Sequence, residues 1–376
     1  MSTDGQLRTL TDMSPPLYVA AGGGGDAIAA AMLHAARWPD VRPVIATFAW
    51  DRLMVDPIPG PRSVSDFTGL DQLDPRNFAF TKDTRPIPPA GSTLPRLATE
   101  VDATFVLLDP AEGAVGLRTQ LLALVETTGA ERVEVVDVGG DILGTGTEPE
   151  LRSPLADALA LAATTDLRVP VEVLVAGAGL DGELSEEAVL SRIDQLWGRR
   201  VMRVGPAEAA SAMPVFDWHP SEATALLLAA GRGIRGDVEI RGAGHRVHLT
   251  DESPNVYQLT HVDVLTINRV ARAVGNSRTA EDTESAVRAI CGHTELDHER
   301  AIAVRRDGGS VDPGAAAKPI TFADYERSAR ARGIDYVTFR RLSEVMSLKF
   351  PDGLCLRDHL VETHPEQYEP PLWRIP

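Results

Sequence analysis

Residues 17–34, Leu17-Tyr18-Val19-Ala20-Ala21-Gly22-Gly23-Gly24-Gly25-Asp26-Ala27-Ile28-Ala29-Ala30-Ala31-Met32-Leu33-His34, pass from an unbroken apolar run through four glycines into an alanine-rich stretch. An unbroken apolar run suits a β-strand buried on both faces. Glycines directly after it let the backbone turn sharply and approach a ligand with no Cβ in the way. Ala27–Trp38 then reads as a helix, and its first turn offers unpaired N–H groups and a positive dipole end to an anion.

The same strand-then-helix unit recurs along the first half of the chain. Val44–Phe48 is a second apolar run. Thr104–Leu108 is followed by the helical stretch Leu117–Thr127, Val133–Val138 by Leu155–Thr164, and Val171–Ala176 by Glu186–Trp197. Alternating buried strands and helices imply right-handed crossovers. Residues 1–205 are therefore expected to form an α/β domain with a doubly wound, mostly parallel, Rossmann-like sheet. The proline-rich stretches Asp56–Arg62 and Thr84–Pro95 interrupt the pattern and read either as lids or as rigid surface connections.

After residue 205 the character shifts. Glu222–Ala230 reads as a helix, Val238–Thr250 and Asn255–Val264 as strands, and Leu265–Val274 and Ala280–Ile290 as helices. Residues 206–310 are expected to form a small extension of strands and helices packed on the first domain. Arg305–Lys318 has the composition of a linker. Residues 311–376 are expected to form a helical tail, with helices near Phe322–Arg332 and Tyr336–Met346. Arg327, Arg330, Arg332, Arg340 and Arg341 give that tail a basic face, which suits solvated packing helices better than a helix-turn-helix.

Composition bounds the function. With 376 residues, at ~150 per domain, the chain has room for roughly two domains. Lysine plus arginine (37) against aspartate plus glutamate (54) gives a net charge of −17. That balance opposes nonspecific binding to nucleic acid, which needs a positive surface. Cys291 and Cys355 make no Cys-x-x-Cys pair, so reduced thiols are expected. Met1-Ser2-Thr3-Asp4-Gly5 does not open a signal peptide, and no apolar stretch reaches the ~18 residues of a membrane span. A cytoplasmic protein with no membrane partner is expected; association with a second copy stays open.

Three acidic, glycine-bearing loops carry the candidate chemistry. In the first, Gly22, Gly24 and Ala27 satisfy the G-x-G-x-x-G/A dinucleotide pattern, and Asp51 stands where a ribose-binding carboxylate would. Asp26 departs from that pattern, because its charge would repel a pyrophosphate unless a cation intervened; it also suits an N-cap. The second loop is Asp137-Val138-Gly139-Gly140-Asp141, continuing to Glu148. The third is Gly179-Leu180-Asp181-Gly182-Glu183. Ligands of open α/β sheets bind outside the carboxyl ends of the strands, so Asp26, Asp51, Asp109, Asp137 and Asp141 are expected along one edge. Several carboxylates there can hold a divalent cation, bind sugar hydroxyls or supply a general base.

His219, in Asp217-Trp218-His219-Pro220, is the histidine best placed for a site. His245 and His248 sit three apart in an expected strand, which puts their rings on opposite faces. Cys291-Gly292-His293 with His298 lacks zinc spacing. No Gly-x-Ser-x-Gly elbow, His-Glu-x-x-His or full Walker loop is present.

As an ordered set, Gly22–Ala27, Asp51-Arg52…Asp56-Pro57…Pro59-Gly60-Pro61, Asp137–Asp141 with Ser153-Pro154…Asp157, and Asp181-Gly182-Glu183 resemble domain of unknown function family 1152. The resemblance covers roughly residues 15–275. It implies an α/β domain and brings no reaction or catalytic residue with it.

The leading expectation is a small-molecule transferase or hydrolase acting on a nucleoside, nucleotide or similarly hydroxylated and phosphorylated metabolite. Asp26, Asp137 and Asp141 would be catalytic. Gly22, Gly23, Gly24, Gly25, Asp51, Arg52, Glu148, Asp181, Glu183 and His219 would contact the ligand. The cofactor is open, with a divalent cation compatible. The alternatives are an NAD(P)-dependent oxidoreductase and a non-catalytic ligand sensor.

Overall fold

The apolar runs of the first half all become strands whose successive side chains enter two different cores. In strand β1 (Leu17–Ala20), Tyr18 and Ala20 join the core on one side of the sheet and Leu17 and Val19 the core on the other. The computed structural model describes residues 14–241, 245–307 and 320–376. It shows an α/β fold with a large mixed sheet.

Helix α1 (Gly24–Arg37) leads to β2 (Val44–Phe48). Four two-residue strands follow: β3 (Phe67–Thr68), β4 (Asp71–Gln72), β5 (Phe78–Ala79) and β6 (Arg85–Pro86). Helix α2 (Leu94–Glu100), strand β7 (Thr104–Leu108), helix α3 (Gly113–Thr128) and strand β8 (Val133–Val138) come next. They precede helix α4 (Pro154–Ala163), strand β9 (Val171–Ala176), helix α5 (Glu186–Gln195) and strand β10 (Arg199–Arg203). Helices α6 (Pro206–Ala212) and α7 (Glu222–Gly231), strands β11 (Gly236–Glu239) and β12 (Arg246–Leu249), and strand β13 (Asn255–Thr260) complete this half.

The main sheet runs β10-β13-β9-β8-β1-β2-β7-β5-β4. Strands β9, β8, β1, β2 and β7 are mutually parallel. Antiparallel strands flank them on both sides, β13 and β10 beyond β9, and β5 and β4 beyond β7. The parallel core was legible in the sequence; the antiparallel flanks make the sheet mixed rather than mostly parallel. Alternation is visible in β7, where Phe105 and Leu107 face one core and Val106 and Leu108 the other. Burying each such side chain stabilises the fold by ~1.5–3 kcal/mol. Glu134 of β8, buried within the sheet, is held bidentately by Arg37 at 2.6 and 3.0 Å.

Several expectations for the second half are corrected. Residues 238–250 are not one strand but the antiparallel pair β11–β12. Asn255–Val264 ends as a strand at Thr260, whose hydroxyl caps helix α8 (His261–Ile267). The expected helix at 265–274 breaks at Asn268, which caps α9 (Arg269–Val274). Helices α10 (Ala280–Cys291), α11 (Glu295–Asp307) and α12 (Phe322–Ala331) follow. Tyr336–Thr338 is a strand, β14, and only then does helix α13 (Phe339–Val345) begin. Helix α14 (Phe350–Thr363) and strands β15 (Tyr368–Glu369) and β16 (Leu372–Arg374) end the chain.

A second sheet, β12-β11-β14-β16-β15, therefore joins residues 236–249 to residues 336–374. The expected linker at 305–318 falls mostly outside the described residues. The tail arginines are used internally: Arg332 and Arg341 both pair with the buried Glu239 of β11. Among the described residues no helix is long and apolar enough to cross a membrane. The proline-rich stretches are pinned. Arg62 donates to the carbonyls of Ile58, Pro59 and Gly60, and Asp51 ties down Thr93.

Candidate functional site

In the parallel order β9-β8-β1-β2-β7, chain connections leave β1 and β8 in opposite directions. Helix α1, after β1, packs on one face of the sheet, and α4, after β8, packs on the other. A crevice opens where the two diverge, outside the carboxyl ends of the strands. It is a cavity of about 150 Å³, lined by Gly22–Asp26, Asp137, Asp141, Asp157, Asp181, Glu183 and His219 among others. At ~10–15 Å³ per water, that volume takes the reacting end of a ligand and leaves the rest at the mouth.

The glycine turn forms one wall. Helix α1 begins at Gly24 with no side-chain cap, and Gly24, Gly25 and Asp26 of its first turn line the cavity. Asp26 is not the N-cap that its position suggests. Its Oδ2 instead accepts from Gly22 N at 2.6 Å and its Oδ1 from Val138 N at 3.3 Å, which ties the turn to the end of β8. Tight quarters explain the glycines. A Cβ on Gly25 would lie 2.2 Å from Ser221 Oγ, and one on Gly22 would lie 2.7 Å from Asp26 Oδ2.

The second and third loops supply the other carboxylates. Gly139 and Gly140 take φ of +125° and +100°, a left-handed turn that carries the chain from Asp137 to Asp141. Asp181, after β9, accepts from Glu183 N at 2.9 Å. Glu183 in turn accepts from the amides of Arg152 and Ser153 at 2.7 and 2.9 Å. Asp157, in the first turn of α4, completes the group. No donor among the described residues reaches Asp137 Oδ2, Asp157 Oδ1 or Asp181 Oδ2.

Crowded and partly or wholly withdrawn from water, these groups bind their protons more tightly than ordinary carboxylates do. Burial pushes Asp26 up to about 7, partly offset by the Gly22 and Val138 amides and reinforced by the Asp181 charge. Burial, with the charge of Glu183, pushes Asp181 up to about 7. Asp137, Asp141 and Asp157 are also raised well above the usual carboxylate range, by burial first and by one another second. His219, 8% exposed, has an unpartnered Nε2; burial lowers its pKa to about 3 and keeps the ring neutral.

Two arginines face these acids. Arg241, after β11, lies 3.4 Å from Glu222 and 3.7 Å from Glu183. Arg340, from α13, approaches Glu222 at 3.9 Å and lines the same cavity.

Of the residues expected at the site, Asp26, Asp137, Asp141, Gly22–Gly25, Asp51, Arg52, Asp181, Glu183 and His219 line the cavity. Asp51 does so with both oxygens occupied, accepting from Thr93 Oγ1 at 2.7 Å and Thr93 N at 2.9 Å. Arg52 pairs with Glu299 at 3.0 Å. Two expectations are corrected. Glu148 stands outside the cavity, where it accepts from the amides of Thr145, Gly146 and Thr147 and pairs with Arg192 at 2.6 Å. Burial opposes its ionisation, but the Thr145 and Arg192 hydrogen bonds outweigh it and hold its pKa near 2. Asp109 is also outside, capping a short turn through Ala111 N and holding Val64 N.

Sequence reasoning missed Glu222, Arg241 and Arg340 at the cavity, and named Ser153 and Asp157 in the family resemblance without giving them a site role. Asp157 and Glu222 sit in first helical turns, where an acid reads as a dipole partner. The histidine pairs are structural: His245 meets Gly182 O, His248 meets Asp237, and His293 meets the carbonyls of Cys291 and Leu151.

The sequence profile of the family described as "Protein of unknown function (DUF1152)" matches residues 17–303. The chain belongs to this family. The match takes in the glycine turn, all six aspartates lining the cavity and Arg241, and it ends before Arg340. No curated protein and no solved structure matches the chain.

Proposed function

We propose that this chain is a small-molecule transferase or hydrolase whose substrate is a hydroxylated, phosphorylated metabolite of the nucleotide or sugar-phosphate kind. One observation carries the reading. The uncapped N-terminus of α1, two arginines and a group of carboxyls raised above their usual range converge on a single cavity. The first-turn amides of α1 and the arginines hold the phosphate. Asp26, with a pKa near 7, is matched to proton transfer at neutral pH, and Asp137 and Asp141 orient hydroxyls and share its proton. His219 stays neutral and can bond substrate without adding charge.

A doubly wound, Rossmann-like reading of the sheet supports this. In chain order the parallel strands run 3-2-1-4-5, and the crevice lies at their switch point. The NAD(P) alternative has less support, because Asp51 already spends both oxygens on Thr93.

The test is turnover of a panel of nucleoside phosphates and sugar phosphates, followed by mass spectrometry of the products. Asp26→Asn and Asp141→Asn should each lower turnover by about 100-fold or more, as loss of an acid–base group does. Full turnover in both variants refutes the assignment.

A further inference from the structure

Three of the cavity's carboxylates are arranged for something other than each other. One oxygen each from Asp26, Asp137 and Asp157 lies within 4.8 Å of the other two. Asp137 is 1% exposed and Asp157 5% exposed, yet Asp137 Oδ2 and Asp157 Oδ1 receive no donor among the described residues. Two buried acids outside the cavity, Glu295 and Glu299, are treated differently. Glu295 accepts from Leu155 N and Ala156 N, and Glu299 from Trp50, Arg52 and Gly60. Buried oxygens left without a donor are costly, and folded proteins seldom keep them without a partner.

An independent observation comes from outside the carboxylate group. His219 Nε2 is also unpartnered and buried, on the wall beside Gly24, where it would meet a Cβ at 3.0 Å. A polar atom stranded there, in the same cavity, calls for a polar ligand in the space between. The arginines do not fill this need, since Arg241 pairs with Glu183 and Glu222, and Arg340 with Glu222.

We infer that Asp26, Asp137 and Asp157 form a binding site for one hard divalent cation of the magnesium or manganese class. The donor set is all carboxylate oxygen, which suits magnesium or manganese; zinc sites usually draw on sulfur or imidazole. Three protein oxygens leave further positions for waters and for an oxygen of an anionic ligand. Asp141 and Asp181 line the same cavity. Binding needs these three carboxylates ionised, so the cation displaces the protons they hold in its absence, and with Asp26 as a ligand the proton transfer proposed above passes to Asp141.

Full-length protein stripped with a chelator and dialysed at pH 7.5 is titrated calorimetrically with MgCl2 and with MnCl2, and bound Mn2+ is counted by electron paramagnetic resonance. One ion per chain should bind, and the thermal midpoint should rise with cation concentration. Asp137→Asn and Asp157→Asn should each weaken binding by about 100-fold or more. Both variants should stay folded by circular dichroism, because each replaces a buried acid with an amide of the same size and shape. Asp102→Asn, whose parent side chain is 87% exposed, should bind as the parent does. Absence of saturable binding at millimolar Mg2+ and Mn2+ overturns the site, as does binding that survives in both folded variants. Turnover that persists in chelator, with no bound ion, removes the cation and leaves the substrate reading standing. Binding with no turnover of any panel member does the reverse.

Discussion

Asp181→Asn should make the cation-free protein more stable at pH 8 and leave it nearly unchanged at pH 4. The side chain is 7% exposed, its Oδ1 accepts from Glu183 N at 2.9 Å, and its Oδ2 receives no donor. Asparagine keeps the first bond and places an amide donor where the unpartnered oxygen was, toward the Asp141 carboxyl. What it removes is the penalty of ionising a buried acid. Folding raises this carboxyl from 3.8 to about 7, so the native state binds its proton more tightly than the unfolded chain does. The native state therefore has its full advantage below about pH 4 and loses it as pH rises toward 7. At ~1.4 kcal/mol per pH unit, the accumulated penalty above pH 7 is about 4 kcal/mol. Sharing of protons among the neighbouring acids brings the expected gain at pH 8 to about 2–4 kcal/mol.

The parent's own pH profile is a poor reporter. His219, lowered from 6.5 to about 3, loses native-state stability as pH falls through the same range. The difference between variant and parent cancels that term. Urea denaturation of both proteins in chelator, from pH 4 to pH 8, measures it. A difference that stays flat within ~0.5 kcal/mol across this range would refute the claim that the cavity holds protonated acids.

Other outcomes follow from the same geometry. Gly139→Ala places a Cβ 2.4 Å from Asp181 Cγ at a φ of +125°, and should cost about 2–5 kcal/mol by urea denaturation. Glu299→Ala strands Trp50 Nε1, Gly60 N and Arg52, which it now holds at 2.8–3.2 Å; a loss of about 3–5 kcal/mol is expected in the same assay. Arg241→Met leaves Glu183 without its cation and Glu222 with Arg340 alone, and should raise KM for a phosphorylated substrate by about 10-fold or more in steady-state kinetics. Glu148→Gln, outside the cavity, should leave kcat and KM unchanged while loosening the Thr145–Thr147 turn.

What could be read from the sequence was local. The strand at Leu17, the glycine turn and the acids at 137, 141, 181 and 183 all follow apolar runs directly, so their position at strand ends is fixed by chain continuity. Two kinds of information were missing. The sequence puts Asp51, Asp109 and Glu148 after strands too, yet it does not say that Thr93, Ala111 or Arg192 already occupies each of them. Nor does it bring Arg340 to the glycine turn, which depends on β14 pairing with β11 across about a hundred residues. Tyr336–Thr338 was absorbed into a helix for the same reason. A three-residue strand has too short a period to read, and only its long-range partners make it a strand.

The most direct test is native mass spectrometry of the protein purified without added ligand, with identification of any small molecule released on denaturation. A phosphorylated, hydroxylated metabolite should accompany the parent protein and be lost from Arg241→Met. Recovery of a phosphate-free apolar molecule, or of the same metabolite at full occupancy from Arg241→Met, would contradict the account.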